Sequence, residues 1–225
     1  YSDMCTQLSE LGFYENKQVY QTIDFYALEK LLSEDQMPSG YERLNDEEVR
    51  LRQLELLDFL KKTCDEHKLR YYLCGGTLLG AVRHGGYIPW DDDIDIAMPL
   101  GDYKKFLEII RENEHFMSLS IYSHPESYYN FFMRLVDKQT LMKSWEYPFL
   151  MTSGVCIDIF PLFGLPQREE DIRSFYNRIR DLNASFIRTY IEEATEDDLI
   201  LKQRMELRVE IIRMMEQYDF ENSNN

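Results

Sequence analysis

Positive charge is what this 225-residue sequence has least of: 25 Lys and Arg stand against 41 Asp and Glu, for a formal net charge of −16 and a pI of about 4.7. A surface of that sign repels phosphate backbones and argues against nucleic-acid binding. An anionic substrate would have to be received on metal ions. Cysteine is also sparse. Cys5, Cys64, Cys74 and Cys156 form no C-x-x-C pair and no Cys/His ligand spacing, so neither a zinc site nor a disulfide framework is indicated, and free thiols in a reducing cytosol are expected. No apolar run reaches the roughly 18 to 20 residues that span a bilayer, and no charged-then-apolar signal opens the chain. Hydrophobic residues are plentiful, at 44% with 14% aromatic, enough for a sizeable core in one ample domain or two small ones. Disordered and low-complexity classes are excluded.

Three regions follow from the patterning. Residues 1–44 carry a weak helical pattern around Val19, Ile23 and Tyr26 and close on the breaker run Met37-Pro38-Ser39-Gly40, which reads as a helical appendage. Residues 45–165 form the expected core. Asn45 and Glu48 have capping-box spacing, and Leu54, Leu57, Leu60 and Cys64 recur on one face of a helix over 46–67. A β-prone run at 70–74 meets Gly75-Gly76, a short helix at 77–84 closes on Gly85-Gly86, and a second strand follows at 94–98. Asp102 is expected to cap a helix that turns Phe106, Ile109 and Ile110 inward. Further strands are expected at 118–122, 129–136, 140–145 and 155–160. Residues 166–225 turn helical, with Ile172, Phe175, Ile179, Leu182 and Phe186 in one stripe and Leu201, Met205, Ile212 and Met215 in another. The fold class is α+β (α/β): a mixed central sheet of about five strands flanked by helices.

The densest chemical signal is Pro89-Trp90-Asp91-Asp92-Asp93-Ile94-Asp95-Ile96, with four carboxylates in five positions. Such crowding is costly without cations. On a strand, Asp93 and Asp95 project from one face while Ile94 and Ile96 enter the core, which makes a cradle for Mg²⁺ or Mn²⁺. The competing reading is a solvated acidic turn. A calcium loop fails because its sixth position needs Gly and holds Ile96. In Val155-Cys156-Ile157-Asp158-Ile159-Phe160, a lone acid sits in an apolar run. On a neighbouring strand about 4.8 Å away, Asp158 would complete a three-carboxylate cluster; otherwise it pairs with an arginine or caps a turn. Gly75, Gly76 and Thr77, at a strand end before a helix, offer backbone N–H groups to a phosphate. Arg83, His84, Arg134 and Lys138 are cations suited to phosphate, or else ordinary ion-pair residues.

The run from Tyr72 through Ile96, together with Asp102-Tyr103 and Asp158-Ile159-Phe160-Pro161-Leu162, resembles the signature of the LicD family of phosphocholine transferases, which includes the fukutin-type proteins. The resemblance spans residues 45–165. It implies a nucleotidyltransferase-like core in which Gly75-Gly76 seat phosphate and Asp93, Asp95 and Asp158 are the catalytic acids that hold two Mg²⁺ or Mn²⁺ ions. Sixteen residues separate Gly76 from Asp93, a spacing closer to LicD proteins than to aminoglycoside nucleotidyltransferases. The implied reaction moves a phospho-alcohol, foremost phosphocholine from a CDP-choline donor, to a sugar hydroxyl of a cell-surface glycan acceptor such as teichoic acid or lipopolysaccharide. The implied location is cytoplasmic, with a peripheral seat at the inner face of the cell membrane. Trp90 and Tyr87, beside the carboxylates, are the nearest aromatic faces for a quaternary ammonium; Tyr128 and Tyr129 are further candidates, and Trp90 has the alternative role of a packing residue that orients the turn. The family's aromatic and proline-rich C-terminal segment has no counterpart before Asn222-Ser223-Asn224-Asn225. Two other functions fit the same residues, namely nucleotide transfer to a small acceptor and a catalytically silent scaffold.

Overall fold

The computed structural model describes residues 42–123, 128, 130–146, 149–191 and 198–222. All but the last three residues of the expected N-terminal appendage lie outside this range. From Leu44 onward the chain is one compact unit.

Helix α1, Asp46–His67, begins where the capping box places it. The Glu48 N–H donates to Asn45 Oδ1 at 3.0 Å and the Asn45 N–H donates to Glu48 Oε2 at 2.8 Å, so two donors that the helix leaves unmatched find partners. Its inward stripe is Gln53, Leu56, Leu60, Thr63 and Cys64. The expected stripe is therefore rotated: Leu60 and Cys64 are buried, but Leu54 is 45% exposed. The helix carries leucines on two faces, and hydrophobicity alone does not choose between them.

A two-residue strand, β1 (Tyr72–Leu73), leads into α2 (Gly75–His84), which ends on Gly85 in the left-handed conformation. Next come β2 (Asp95–Pro99) and α3 (Leu100–Ile110). Asp102 is not the cap of α3. Pro99 occupies that position, and Asp102 is buried one turn later, accepting from Arg70 Nε at 2.7 Å. Phe106 and Ile110 are buried as expected, with Ile109 partly so. Strand β3 (Phe116–Leu119) stops short of the expected 118–122. Ser120 and Ser123 bond each other's backbone N–H through their hydroxyls, at 3.1 Å each way, and turn the chain.

Strands β4 (Met133–Asp137), β5 (Met142–Glu146), β6 (Phe149–Ser153) and β7 (Cys156–Leu162) follow. Five strands form one sheet in the order β1-β2-β7-β4-β3, and β5 and β6 form a separate hairpin. Only β2 and β7 are paired in parallel, so the sheet is mixed and the class is α+β. Ile94, Ile96, Ile157, Ile159, Met133 and Leu135 are all buried in the core.

Helices α4 (Glu169–Ile191) and α5 (Asp198–Met215) complete the described chain. Phe175, Leu182 and Phe186 are buried as the periodicity requires. On α5 the expected register is wrong at its start: Leu201 and Met205 are exposed, and the buried residues are Ile211, Met214 and Met215. Two arginines take the inward positions instead. Arg204 donates to the Thr189 carbonyl at 2.7 Å and Arg208 to the Ile121 carbonyl at 2.5 Å. Among the described residues, no helix is long and apolar enough to cross a membrane.

Candidate active site

The site forms where β2 and β7 begin. Because the two strands run parallel, Asp95 and Asp158 are register partners, and the Asp158 N–H donates to the Ile94 carbonyl at 2.9 Å. Ile94 and Ile96 are 2% and 0% exposed, so alternation at the head of β2 turns Asp95 away from the core, while Asp93, just before the strand, lies near enough to feel the charge of Asp95.

The glycine pair is pressed against these acids. A Cβ on Gly75, whose φ is +54°, would stand 2.7 Å from Asp95 Oδ2, and one on Gly76 would stand 2.3 Å from Asp91 Oδ2. Only a residue without a side chain allows both approaches. Thr77 Oγ1 accepts the Asp95 N–H at 2.8 Å and pins the strand's first residue, a bond that leaves the Thr77 backbone N–H, the group expected to meet a phosphate, uninvolved. Cys74, at the N-cap of α2, offers no side-chain cap, so the helix's first N–H groups have no capping partner from it.

Charge is concentrated here. The carboxylate oxygens of Asp91, Asp92 and Asp93 lie within 4.8 Å of one another; Asp95 and Asp158 belong to no such tight group among the described residues. Partial burial, followed by the charges of Asp95, Asp91 and Asp92, pushes the Asp93 carboxyl up to about 6. Burial and Asp91 also raise Asp95. Hard oxygen donors in this density, each disfavoured as an anion by its neighbours, are the donor set that Mg²⁺ or Mn²⁺ takes.

The expected cations divide. Arg134 reaches the site: it is the register partner of Asp158 on β4, is buried, and holds Nε 3.2 Å from Asp158 Oδ1. Asp158 is thus both a partner of Asp95 and one half of an arginine pair. Arg83 and His84 are exposed in the last turn of α2, about 12 Å along the axis from the glycine end at 1.5 Å per residue. Lys138 donates to the Asn113 carbonyl at 2.5 Å, beyond a strand that lies two places across the sheet from β2. Those three are not brought to the acids.

Trp90 is 83% exposed, so it does not pack under the turn. That work falls to α1. Arg50 Nη2 donates to the carbonyls of Pro89 and Asp91 at 3.0 and 2.7 Å, and its guanidinium lies 5.3 Å from the centre of the Tyr87 ring. Gln53 Nε2 donates to the Asp92 carbonyl at 2.8 Å and the Cys156 carbonyl at 3.4 Å, while its Oε1 accepts the Tyr87 O–H at 2.8 Å. Tyr87 is therefore a structural member of the turn, with one face already against a cation. Tyr128 is buried, which removes it as a ligand cage, and Tyr129 lies outside the described residues. Arg50, Gln53 and Asp91 were missed as site residues. A usable signal existed for Gln53, the one amide among the apolar residues at 56, 60 and 64.

Comparison with known proteins places the sequence in a family. Residues 68–224 fit the LicD/FKTN/FKRP nucleotidyltransferase domain, a range that runs beyond the central sheet through α4 and α5. The chain is 42% identical over 73 residues to the lipopolysaccharide cholinephosphotransferase LicD of Haemophilus influenzae, covering 32% of this chain and 28% of that protein. It is 59% identical over 34 residues to the human and mouse ribitol 5-phosphate transferase FKRP, covering 15% of this chain and 7% of those proteins. An uncharacterized Rickettsia prowazekii protein is 36% identical over 83 residues, or 33% of this chain and 31% of its own length. The matched segments thus span less than a third of each of these relatives.

Proposed function

The chain belongs to the LicD family, and from that premise we propose that it is a metal-dependent transferase that moves a phospho-alcohol from a CDP-activated donor to a sugar hydroxyl of a cell-surface glycan. The observation that carries this reading is the pairing of Asp95 with Asp158 on parallel strands, with Asp93 close enough to feel the charge of Asp95 and a glycine pair closed against the acids. Asp93 and Asp95, with Asp91 beside them and Asp158 across the strand boundary, would hold Mg²⁺ or Mn²⁺, two ions in all, and the ions would supply countercharge to the donor's diphosphate. Gly75 and Gly76 let the Asp95 and Asp91 carboxylates close on the start of α2, and the N–H groups that open that helix would serve the metal-bound phosphate. The acceptor oxygen forms a bond to the phosphorus that carries the alcohol, the bond from that phosphorus to CMP breaks, and the acceptor's proton passes to Asp158 or to solvent. Arg134 fixes the Asp158 carboxylate for that task.

Phosphocholine is the foremost cargo, supported by the Haemophilus relative. The higher local identity to a ribitol 5-phosphate transferase favours ribitol phosphate as a second reading. Competition on metal-loaded protein separates them: CDP-choline should displace CDP-ribitol and CDP-glycerol by the ~0.5 to 2 kcal/mol of a cation–π contact at an aromatic such as Trp90. Equal or reversed preference removes choline. A product heavier by a whole nucleotide would instead establish nucleotide transfer, and no metal-dependent donor affinity would leave the scaffold.

A further inference from the structure

We propose that Gln53, on a helix outside the matched family domain, is a positioning residue that sets the two acid-bearing strands in register. This rests on the metal-cradle reading above. Its one side-chain amide reaches three residues in two segments, the turn and β7. Nε2 donates to the carbonyl of Asp92, the residue before Asp93, and to the carbonyl of Cys156, two residues before Asp158. Oε1 accepts from Tyr87 at the start of the turn.

The orientation of the amide is fixed by chemistry. A flipped amide would set its oxygen against two carbonyl oxygens and its NH₂ against a hydroxyl hydrogen. Burial pushes the Tyr87 hydroxyl up to about 12, so it remains a donor at neutral pH. Gln53 is itself buried, and a buried amide with each of these bonds made is costly to displace. Arg50 sits one turn earlier and grips only the turn, through Pro89 and Asp91. The division is specific: Arg50 shapes the acidic turn, while Gln53 ties that turn to β7. Both precede residue 68, where the family match begins, so α1 is part of the site's working structure.

Two measurements on the full chain test this. The first needs no metal: amide hydrogen exchange read by mass spectrometry on peptides covering 88–95 and 155–158. Gln53→Met, which keeps length and apolar bulk but no donor, should raise exchange at least several-fold in both peptides. Arg50→Met should raise it only in 88–95. The second is Mn²⁺ affinity of nucleotide-free protein by titration calorimetry, where Gln53→Met should bind at least tenfold more weakly with its melting cooperativity intact. Should Gln53→Met fail to fold, Tyr87→Phe, which frees Oε1, is expected to give the same two-peptide pattern at smaller amplitude. Wild-type exchange in 155–158 in the folded variant overturns the proposal, as does unchanged Mn²⁺ affinity. A wild-type protein that binds no Mn²⁺ would overturn the metal reading instead, and the exchange pattern alone would then decide the role of Gln53.

Discussion

Asp93 is the residue at which the account is most exposed to test. Its carboxyl is held near 6 by partial burial and by Asp95, Asp91 and Asp92, against an ordinary value near ~3.9. A carboxyl raised on folding favours the folded state when protonated, so its contribution is adverse above about pH 6 and is relieved as pH falls toward the unfolded value. Asp93→Asn should therefore melt at a higher temperature than the metal-free parent at pH 7.5, and the gap should narrow as pH falls from about 6 toward the unfolded value; a gap independent of pH would contradict the assigned crowding. Asp93→Asn and Asp95→Asn should each lower turnover by at least about a thousandfold while the fold holds, since the amide removes the charge that a metal needs. Near-parental turnover at saturating metal in either variant would remove the pair from the chemistry. Gly76→Ala puts a methyl 2.3 Å from Asp91 Oδ2, so it should displace that carboxylate and reduce Mn²⁺ affinity more than it reduces stability, measured by calorimetry beside thermal melting.

At the scale of elements, the pairing of β2, β7 and β4 sets the line Asp95, Asp158, Arg134 across the sheet. Arg134 and Asp158 are both largely buried, and removing one partner of such a pair typically costs ~3 to 5 kcal/mol. Asp158→Ala should lose both activity and stability. The double variant Arg134→Met with Asp158→Leu should regain much of the stability, read by denaturant unfolding, and none of the activity. Full activity in folded Asp158→Ala would exclude Asp158 as ligand and as base. Much of this layer was legible in the sequence, because local rules govern it: the capping box marked the start of α1 to the residue, and Ile94 and Ile96 identified the outward face of Asp95. The adjacency of Asp158 could be suspected from a lone acid in an apolar run. Its arginine partner could be named only as one of several candidates, because the pairing of β4 with β7 is a tertiary fact. Arg83 and His84 are near the motif in sequence but are carried away from it by the helix rise, and Lys138, distant in sequence, is kept from it by the strand order.

Across the whole molecule, a chain of net charge −16 gathers acids where its own arginines are committed: Arg50 to backbone carbonyls and Arg134 to Asp158. Among the described residues these two arginines already have partners, which supports the proposal that metal ions bring the countercharge for a diphosphate and makes metal dependence its central claim. Gln53 stands out in the sequence only as a lone amide in the inward stripe of α1, because the partners that give it a role lie 34 to 103 residues away. The most direct measurement is calorimetric titration of CDP-choline into the full chain with and without Mn²⁺, alongside Asp93→Asn. The account predicts binding by the parent only with Mn²⁺ present, weakened at least tenfold in Asp93→Asn. Equal affinity with and without the metal, or in the parent and the variant, would contradict it.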